Sequence, residues 1–127
     1  MSRFLLIIFL FISSISVHAK INIEEYSTKC FVASLRENYS EALNWCSPAA
    51  EQGDADAQYT LGVMYERGEG VTQDYKQAIK WYALAAEQGL VNAQRDLGFL
   101  YEIGLGVTPD FKQAVRWYIL AAEQGDS

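Results

Sequence analysis

The feature that most constrains this chain is an internal repeat. Sliding the sequence by 36 residues sets 53–88 against 89–124 with 22 identities in 36 positions, and Tyr75/Phe111, Ile79/Val115 and Lys80/Arg116 are near matches. Self-similarity at such a period is the mark of stacked supersecondary units, because a unit that small cannot bury its own apolar face. Each unit reads in the same order. A helix is predicted over about 55–67, then a glycine-punctuated loop, then a helix over about 74–87; the second unit repeats this at about 91–103 and 110–123. Gly68 and Gly70, like Gly104 and Gly106, stop the first helix by permitting positive φ, Asp74 and Asp110 stand at N-cap positions, and Gly89 and Gly125 follow each second helix. No stretch alternates with period two over strand length, so the expected class is all-α.

The amphipathic pattern says how the units combine. Placed at 100° per residue, Trp81, Ala85, Ala78, Tyr82, Tyr75, Ala86, Ile79 and Ala83 sweep an arc of about 200°, twice the stripe of a helix packed on one side. Such a helix needs neighbours on two flanks, which is the geometry of a solenoid. Gly62 and Gly98 fall inside first helices, where glycine costs about 1 kcal/mol relative to alanine. Close approach of two helix backbones is the expected compensation. Trp81-Tyr82 and Trp117-Tyr118 recur in register on the apolar arc and are expected in the core. A degenerate third unit precedes the two: Tyr39, Ala42, Leu43, Trp45 and Ala49-Ala50-Glu51-Gln52 align with Tyr75, Ala78, Ile79, Trp81 and Ala85-Ala86-Glu87-Gln88, while Arg36-Glu37-Asn38 replaces the glycine-rich loop. The prediction is an α-solenoid of three antiparallel helix pairs, at 20–52, 53–88 and 89–124.

The runs Ala57-Gln58, Leu61-Gly62, Tyr65, Gly68-Glu69-Gly70-Val71, Asp74-Tyr75, Ala78, Trp81-Tyr82 and Ala85-Ala86-Glu87-Gln88-Gly89 resemble the Sel-one-like repeat, a relative of the tetratricopeptide repeat. Ala93-Gln94, Leu97-Gly98, Tyr101, Gly104-Leu105-Gly106-Val107, Asp110-Phe111 and Trp117-Tyr118 match it equally well. The resemblance implies a right-handed helical-repeat scaffold that binds other proteins, and it brings no general catalytic residue set. It also implies a rival reading, since some members of a cysteine-rich branch are associated with binding or hydrolysing β-lactams. A small hydrolase or ligand-binding protein of that kind is the alternative. This chain has no Ser-x-x-Lys to support it.

Residues 1–19 read as a cleavable signal peptide. Arg3 supplies the positive start, Phe4 to Ile12 are nine unbroken apolar residues, and Val17-His18-Ala19 offers small residues at the positions a signal peptidase reads. The alternative, a membrane anchor, needs about 20 apolar residues, and this run ends in Ser13, Ser14 and Ser16. Export places the mature chain in the periplasm or outside the cell, with no membrane association after cleavage. Its 16 acidic side chains then face nine basic ones, scattered among them, so nucleic acid is not an expected partner. The single histidine, His18, lies in the leader. Without it no His/Cys zinc site, no Ser-His-Asp set and no Cys-His pair can be assembled, so neither a metal nor a cofactor is expected and the chain is read as a non-enzyme. The Gly-x-Gly loops follow helices instead of strands and are turn formers, not phosphate cradles. Asp54 and Asp56 lack the remaining ligands of a calcium loop. Glu66 and Glu102 recur, as do Glu87 and Glu123, which suits hairpin-bridging or solubilising carboxylates.

Cys30 and Cys46 are each eight residues from Asn38, at the centre of the predicted tight turn. Residues equidistant from a turn lie side by side in an antiparallel pair, so a disulfide across the first hairpin is expected in an oxidising compartment. Two buried free thiols are the alternative. The two strong repeats agree on one face of their first helix and diverge on the other, where Tyr59, Thr60, Val63 and Arg67 stand against Arg95, Asp96, Phe99 and Ile103. A face that packs on the next repeat is held alike, and a face that meets a non-repeating partner is free to differ. These eight residues are the candidate partner-binding face, drift on a solvated surface being the other explanation, while Met64 and Leu100 stay apolar as edge core. The last hairpin lacks a following unit in this sequence, and self-association through it is a further expectation, beside that of a shortened relative of a longer protein.

Overall fold

The computed structural model describes residues 22–125, so the expected leader and its expected cleavage after Ala19 lie outside the described residues. Among the described residues there are six helices and no strand. They are α1 at 22–35, α2 at Tyr39–Glu51, α3 at Ala55–Arg67, α4 at Tyr75–Glu87, α5 at Val91–Ile103 and α6 at Phe111–Glu123. Each odd helix pairs with the even helix after it, and α2 and α4 also pack on the next odd one. None of the described helices is long and apolar enough to cross a membrane.

The boundaries fall where the local chemistry puts them. Asp54, Asp74 and Asp110 accept hydrogen bonds from free N–H groups in the first turns of α3, α4 and α6. Leu90 holds the same position before α5 without a side-chain cap. Asn38 caps α2 through Glu41 N, and the turn before it is made by Glu37, the one described non-glycine residue at positive φ. α3 and α5 end on Gly68 and Gly104 in the left-handed conformation. The second loop glycine has another task. A Cβ on Gly70 would lie 2.9 Å from the Tyr39 carbonyl oxygen, and one on Gly106 2.7 Å from the Tyr75 carbonyl carbon. Each loop therefore lies against the N-terminal turn of the preceding second helix, which fixes the step from hairpin to hairpin.

The core combines alanines from both helices of each pair with Leu61, Met64, Leu97 and Leu100 from first helices and Trp81, Tyr82 and Trp117 from second helices. One cluster joins Cys30, Ala33, Ala42, Cys46, Ala49, Ala50, Ala57, Leu61, Met64 and Trp81; the next joins Ala78, Tyr82, Ala85, Ala86, Ala93, Leu97, Leu100 and Trp117. α4 thus serves both clusters, Trp81 on one side and Tyr82 on the other, which accounts for its broad apolar arc. The sequence-based expectation for Gly62 and Gly98 is corrected in detail. At Gly62 the close approach is to a ring, a Cβ there lying 2.6 Å from Tyr82 Cδ1 and Cε1; at Gly98 ring and backbone both approach, a Cβ lying 2.8 Å from Tyr118 Cε1 and 3.3 Å from the Ala114 carbonyl oxygen of α6. The ring fills the space that the missing side chain leaves, so burial of the tyrosine offsets the helix cost of the glycine.

Buried amides tie hairpin to hairpin. Gln58 Nε2 donates to the Ala50 carbonyl at 3.1 Å, and Gln88 Nε2 donates to Gln58 Oε1 at 2.8 Å. One repeat on, Gln94 donates to the Ala86 carbonyl at 3.1 Å and Gln124 to Gln94 Oε1 at 2.8 Å. Gln58 and Gln94 are the two buried polar side chains among the described residues, and these bonds satisfy them. Glu66 and Glu102 bridge each hairpin, accepting the Tyr82 hydroxyl at 2.5 Å and the Tyr118 hydroxyl at 2.7 Å. Tyr82 and Tyr118 belong to the second helices, so the recurring glutamates hold helix to helix within a unit.

Candidate interaction groove

The register between α1 and the other first helices follows from their closing bonds. Asn38 N donates to Ala33 O, Glu69 N to Met64 O and Leu105 N to Leu100 O, so Ala33, Met64 and Leu100 are equivalent positions. Counting back from them, Cys30 stands where Leu61 and Leu97 stand, and Thr28 where Tyr59 stands. Cys46 is the equivalent of Tyr82 and Tyr118. The disulfide Cys30–Cys46, with Cα atoms 4.7 Å apart, therefore stands at the positions that Leu61 and Tyr82 hold in the regular repeat. Both sulfur-bearing residues are fully buried. With cysteine in place of the tyrosine ring, the position equivalent to Gly62 is released from being glycine, and Phe31 occupies it.

Phe31 lines the groove between α1 and α3, a hollow of about 590 Å³ whose lining also includes Leu90 and Asn92 at the start of α5. α1 contributes Ser27, Thr28, Phe31, Ser34 and Leu35 at helical spacing, and α3 contributes Asp56, Tyr59, Thr60, Val63, Met64 and Arg67. Phe31 and Leu35 are 57% and 67% exposed, high values for apolar side chains facing a concavity. Charge is confined to Asp56, Arg67 and Glu69, with the Arg67 guanidinium 3.9 Å from the Glu69 carboxylate. The Tyr39 hydroxyl at that end has its pKa raised by desolvation and by the neighbouring Glu69 and Glu37 carboxylates.

The hydroxyls in this groove are already engaged. Thr28 donates to Glu24 O at 3.0 Å, Ser34 to Phe31 O at 2.8 Å, Thr60 to Asp56 O at 2.9 Å and Ser27 to the Asp54 carboxylate at 2.7 Å. Three of them fold back on their own helix, leaving the lining more apolar than its residue names suggest.

The corresponding valley between α3 and α5 is bridged. Tyr59 Oη donates to Asp96 Oδ2 at 2.8 Å across it, and the Tyr59 ring lies 5.5 Å from the Tyr82 ring. Burial and then the Asp96 carboxylate push the Tyr59 phenol far above its ordinary pKa. Between α1 and α3 the equivalent positions hold Thr28 and Thr60, too short to span the gap. That substitution is why one valley is open and the other crossed.

Of the residues that sequence reasoning picked as a partner-binding face, Tyr59, Thr60, Val63 and Arg67 line the open groove. Arg95, Asp96, Phe99 and Ile103 stand outside it, on α5; Asp96 is held by Tyr59 and by Arg95 Nε at 3.5 Å, and Phe99 and Ile103 are exposed. Met64 and Leu100 are buried, as edge core requires. Phe31, Leu35 and Tyr39 were missed because the degenerate unit has no counterpart against which to see divergence.

A family model described as the Sel1 repeat matches residues 33–54, 55–90 and 91–126. Among solved structures, a Sel1 repeat protein from Oxalobacter formigenes superposes with a TM-score of 0.75 at 34% identity, over 79% of this chain and 41% of its own. A protective antigen of uropathogenic Escherichia coli strains that displays an SLR fold gives 0.72 at 42% identity, over 92% of this chain and 25% of its own. The cysteine rich protein B of Helicobacter pylori gives 0.72 at 25% identity, over 87% of this chain and 90% of its own. No curated protein matches the chain. The chain spans less than half the length of the first two of these structures. With three matched repeats and helix pairs stacked as in those proteins, this chain belongs to the Sel1 repeat family.

Proposed function

We propose that the protein is an exported, non-catalytic scaffold whose groove between α1 and α3 seats an amphipathic helix of another protein. Sel1 repeat proteins generally mediate protein–protein interaction, and the observation that carries the reading for this chain is the open apolar groove. Its serine and threonine hydroxyls donate internally, which leaves the charged side chains, Tyr39 and Asn92 as the lining's remaining donors. An extended segment pressed into such a groove loses water from its amides and gains few partners, whereas a helix satisfies its own backbone and needs only apolar anchors. Phe31, Leu35 and Val63 are the surfaces for those anchors, and Asp56, Arg67 and Glu69 orient the polar edge. Export is supported by the leader-like residues 1–19 and by the disulfide, a bond that persists in oxidising compartments.

The test is site-specific photocrosslinking in the native envelope from positions 35 and 63, with position 87 as control. A protein captured from the first two positions is then titrated against Phe31→Ser/Leu35→Ser and, separately, Phe99→Ser/Ile103→Ser. At least a tenfold loss of affinity for the first variant, with helicity intact, is expected; loss only for the second moves the site to α5 and refutes the groove. Incubation with a fluorescent β-lactam is expected to leave the protein unlabelled, and covalent labelling would overturn the non-catalytic reading.

A further inference from the structure

The groove between α1 and α3 has two unlike ends, because its walls run in the same direction. Their N-terminal turns meet at one end, where Ser27 Oγ donates to Asp54 Oδ2 at 2.7 Å. Leu35 and Arg67 stand at the other, with Tyr39 and Glu69 just beyond the two helix ends. From Thr28 to Leu35 the α1 wall rises about 10 Å, which is about two turns of an occupying helix.

Charge differs between the ends. Glu24 precedes Thr28 by one turn, and at 100° per residue Glu24, Thr28, Phe31 and Leu35 fall within about 60° of one another, so Glu24 extends the groove face of α1. Asp56 stands on the α3 wall at the same end, and both acids are exposed. At the far end the Arg67 side chain is 66% exposed and lies 3.9 Å from Glu69, the outer limit of an ion pair. These charges belong to this groove. In the register set by the closing bonds, the α3–α5 valley holds Ala55, Asn92 and Ile103 at the places of Glu24, Asp56 and Arg67.

Resting on the reading of this groove as a helix seat, we propose that its occupant is an amphipathic helix with about two turns in contact, antiparallel to α1 and α3, with Lys or Arg in its last turn and Asp or Glu in its first. Seated that way, its basic last turn meets Glu24 and Asp56, and its acidic first turn meets Arg67. The backbone favours the same direction. α3 and α5 both begin at the Asp56 end, and α5 starts from Leu90 without a side-chain cap, so the partial positive charge there suits the negative C-terminal end of an occupying helix. Helices commonly carry acids first and bases last. Parallel seating of such a helix sets like dipole ends together and acid against acid.

The test is fluorescence anisotropy with two synthetic peptides of one composition, capped at both ends, lactam-bridged to equal helicity, and carrying leucines at i, i+4 and i+7. One has glutamates in its first turn and lysines in its last; the other has them exchanged. The first is expected to bind about fivefold more tightly, the scale of a few exposed ion pairs. Glu24→Lys/Asp56→Lys/Arg67→Glu, its fold checked by circular dichroism, reverses that order, and Arg67→Glu alone narrows the gap. Equal affinities, or an order that these charge changes leave as it was, overturn the polarity, and the groove reading survives if Phe31→Ser/Leu35→Ser still abolishes binding. Binding by neither peptide, or binding indifferent to Phe31→Ser/Leu35→Ser, overturns the groove reading and the polarity with it.

Discussion

The Tyr82 ring lies where a side chain on Gly62 would have to be, with ring carbons 2.6 Å from the site of a Cβ. In an open helix Gly62→Ala gains about 1 kcal/mol of helix propensity. Here the ring is fully buried, and its hydroxyl is held by Glu66, so it cannot swing aside. The expected result is a net loss of about 1–3 kcal/mol, the range for overpacking. Thermal unfolding of Gly62→Ala checks the sign, and a stabilised variant refutes the packing argument. Gly98→Ala, against the half-exposed Tyr118, is expected to cost less.

The disulfide occupies the places of two buried side chains of the regular repeat, so its removal is expected to act locally. Closing a loop of 16 residues contributes roughly 3 kcal/mol through the unfolded chain. Cys30→Ser/Cys46→Ser also leaves two small hydroxyls where the regular repeat has leucine and tyrosine. Hydrogen exchange is expected to rise first in α1, and with it the groove loses one wall. Equal protection in α1 and α3 after reduction contradicts that assignment.

The Gln58 amide joins the second hairpin to the first. Gln58→Ala removes the donor to Ala50 O and strands Gln88 Nε2 from one of its two acceptors, the other being Gly53 O at 2.9 Å. Ala50 O keeps the Gly53 N–H and Gln88 Nε2 keeps Gly53 O, so the cost is that of lost bonds between satisfied groups, about 0.5–1.5 kcal/mol. Denaturant unfolding of Gln58→Ala is expected to show a loss in that range, against less than about 0.5 kcal/mol for the exposed control Lys76→Ala.

Alkaline pH is expected to loosen the stack. Burial, followed by the hydrogen bond to Glu102, pushes the Tyr118 phenol up to about 12, and burial with Glu66 pushes Tyr82 further still. Since the unfolded phenols titrate at 10.0, the folded state favours the neutral form. That contribution is whole below pH 10 and is lost as pH rises through the raised values. Unfolding midpoints measured across this window are expected to fall for the native protein and to fall less for Tyr82→Phe, which has no phenol to ionise.

Much of the architecture was legible before any coordinates. Apart from the uncapped start of α5 at Leu90, helix ends over 55–123 follow from aspartates and glycines that act within one turn of themselves, and the two-flank packing of α4 follows from counting apolar residues round a helix. The equidistance of Cys30 and Cys46 from a turn was enough to pair them, although the turn centres on Glu37 instead of Asn38. Local and periodic information of this kind is written into a single sequence.

The open groove was not. It depends on Thr28 and Thr60 failing to span a gap that Tyr59 and Asp96 do span, and on Phe31 filling a position that elsewhere must be glycine. Those comparisons require the register of α1 against α3, which the shortened first loop hides from a 36-residue alignment. The sequence alone determined the helices, their pairing and the need for neighbours, because these rest on contacts close along the chain. Which valley stays open was decided only by the tertiary structure, because it rests on distances between side chains some thirty residues apart.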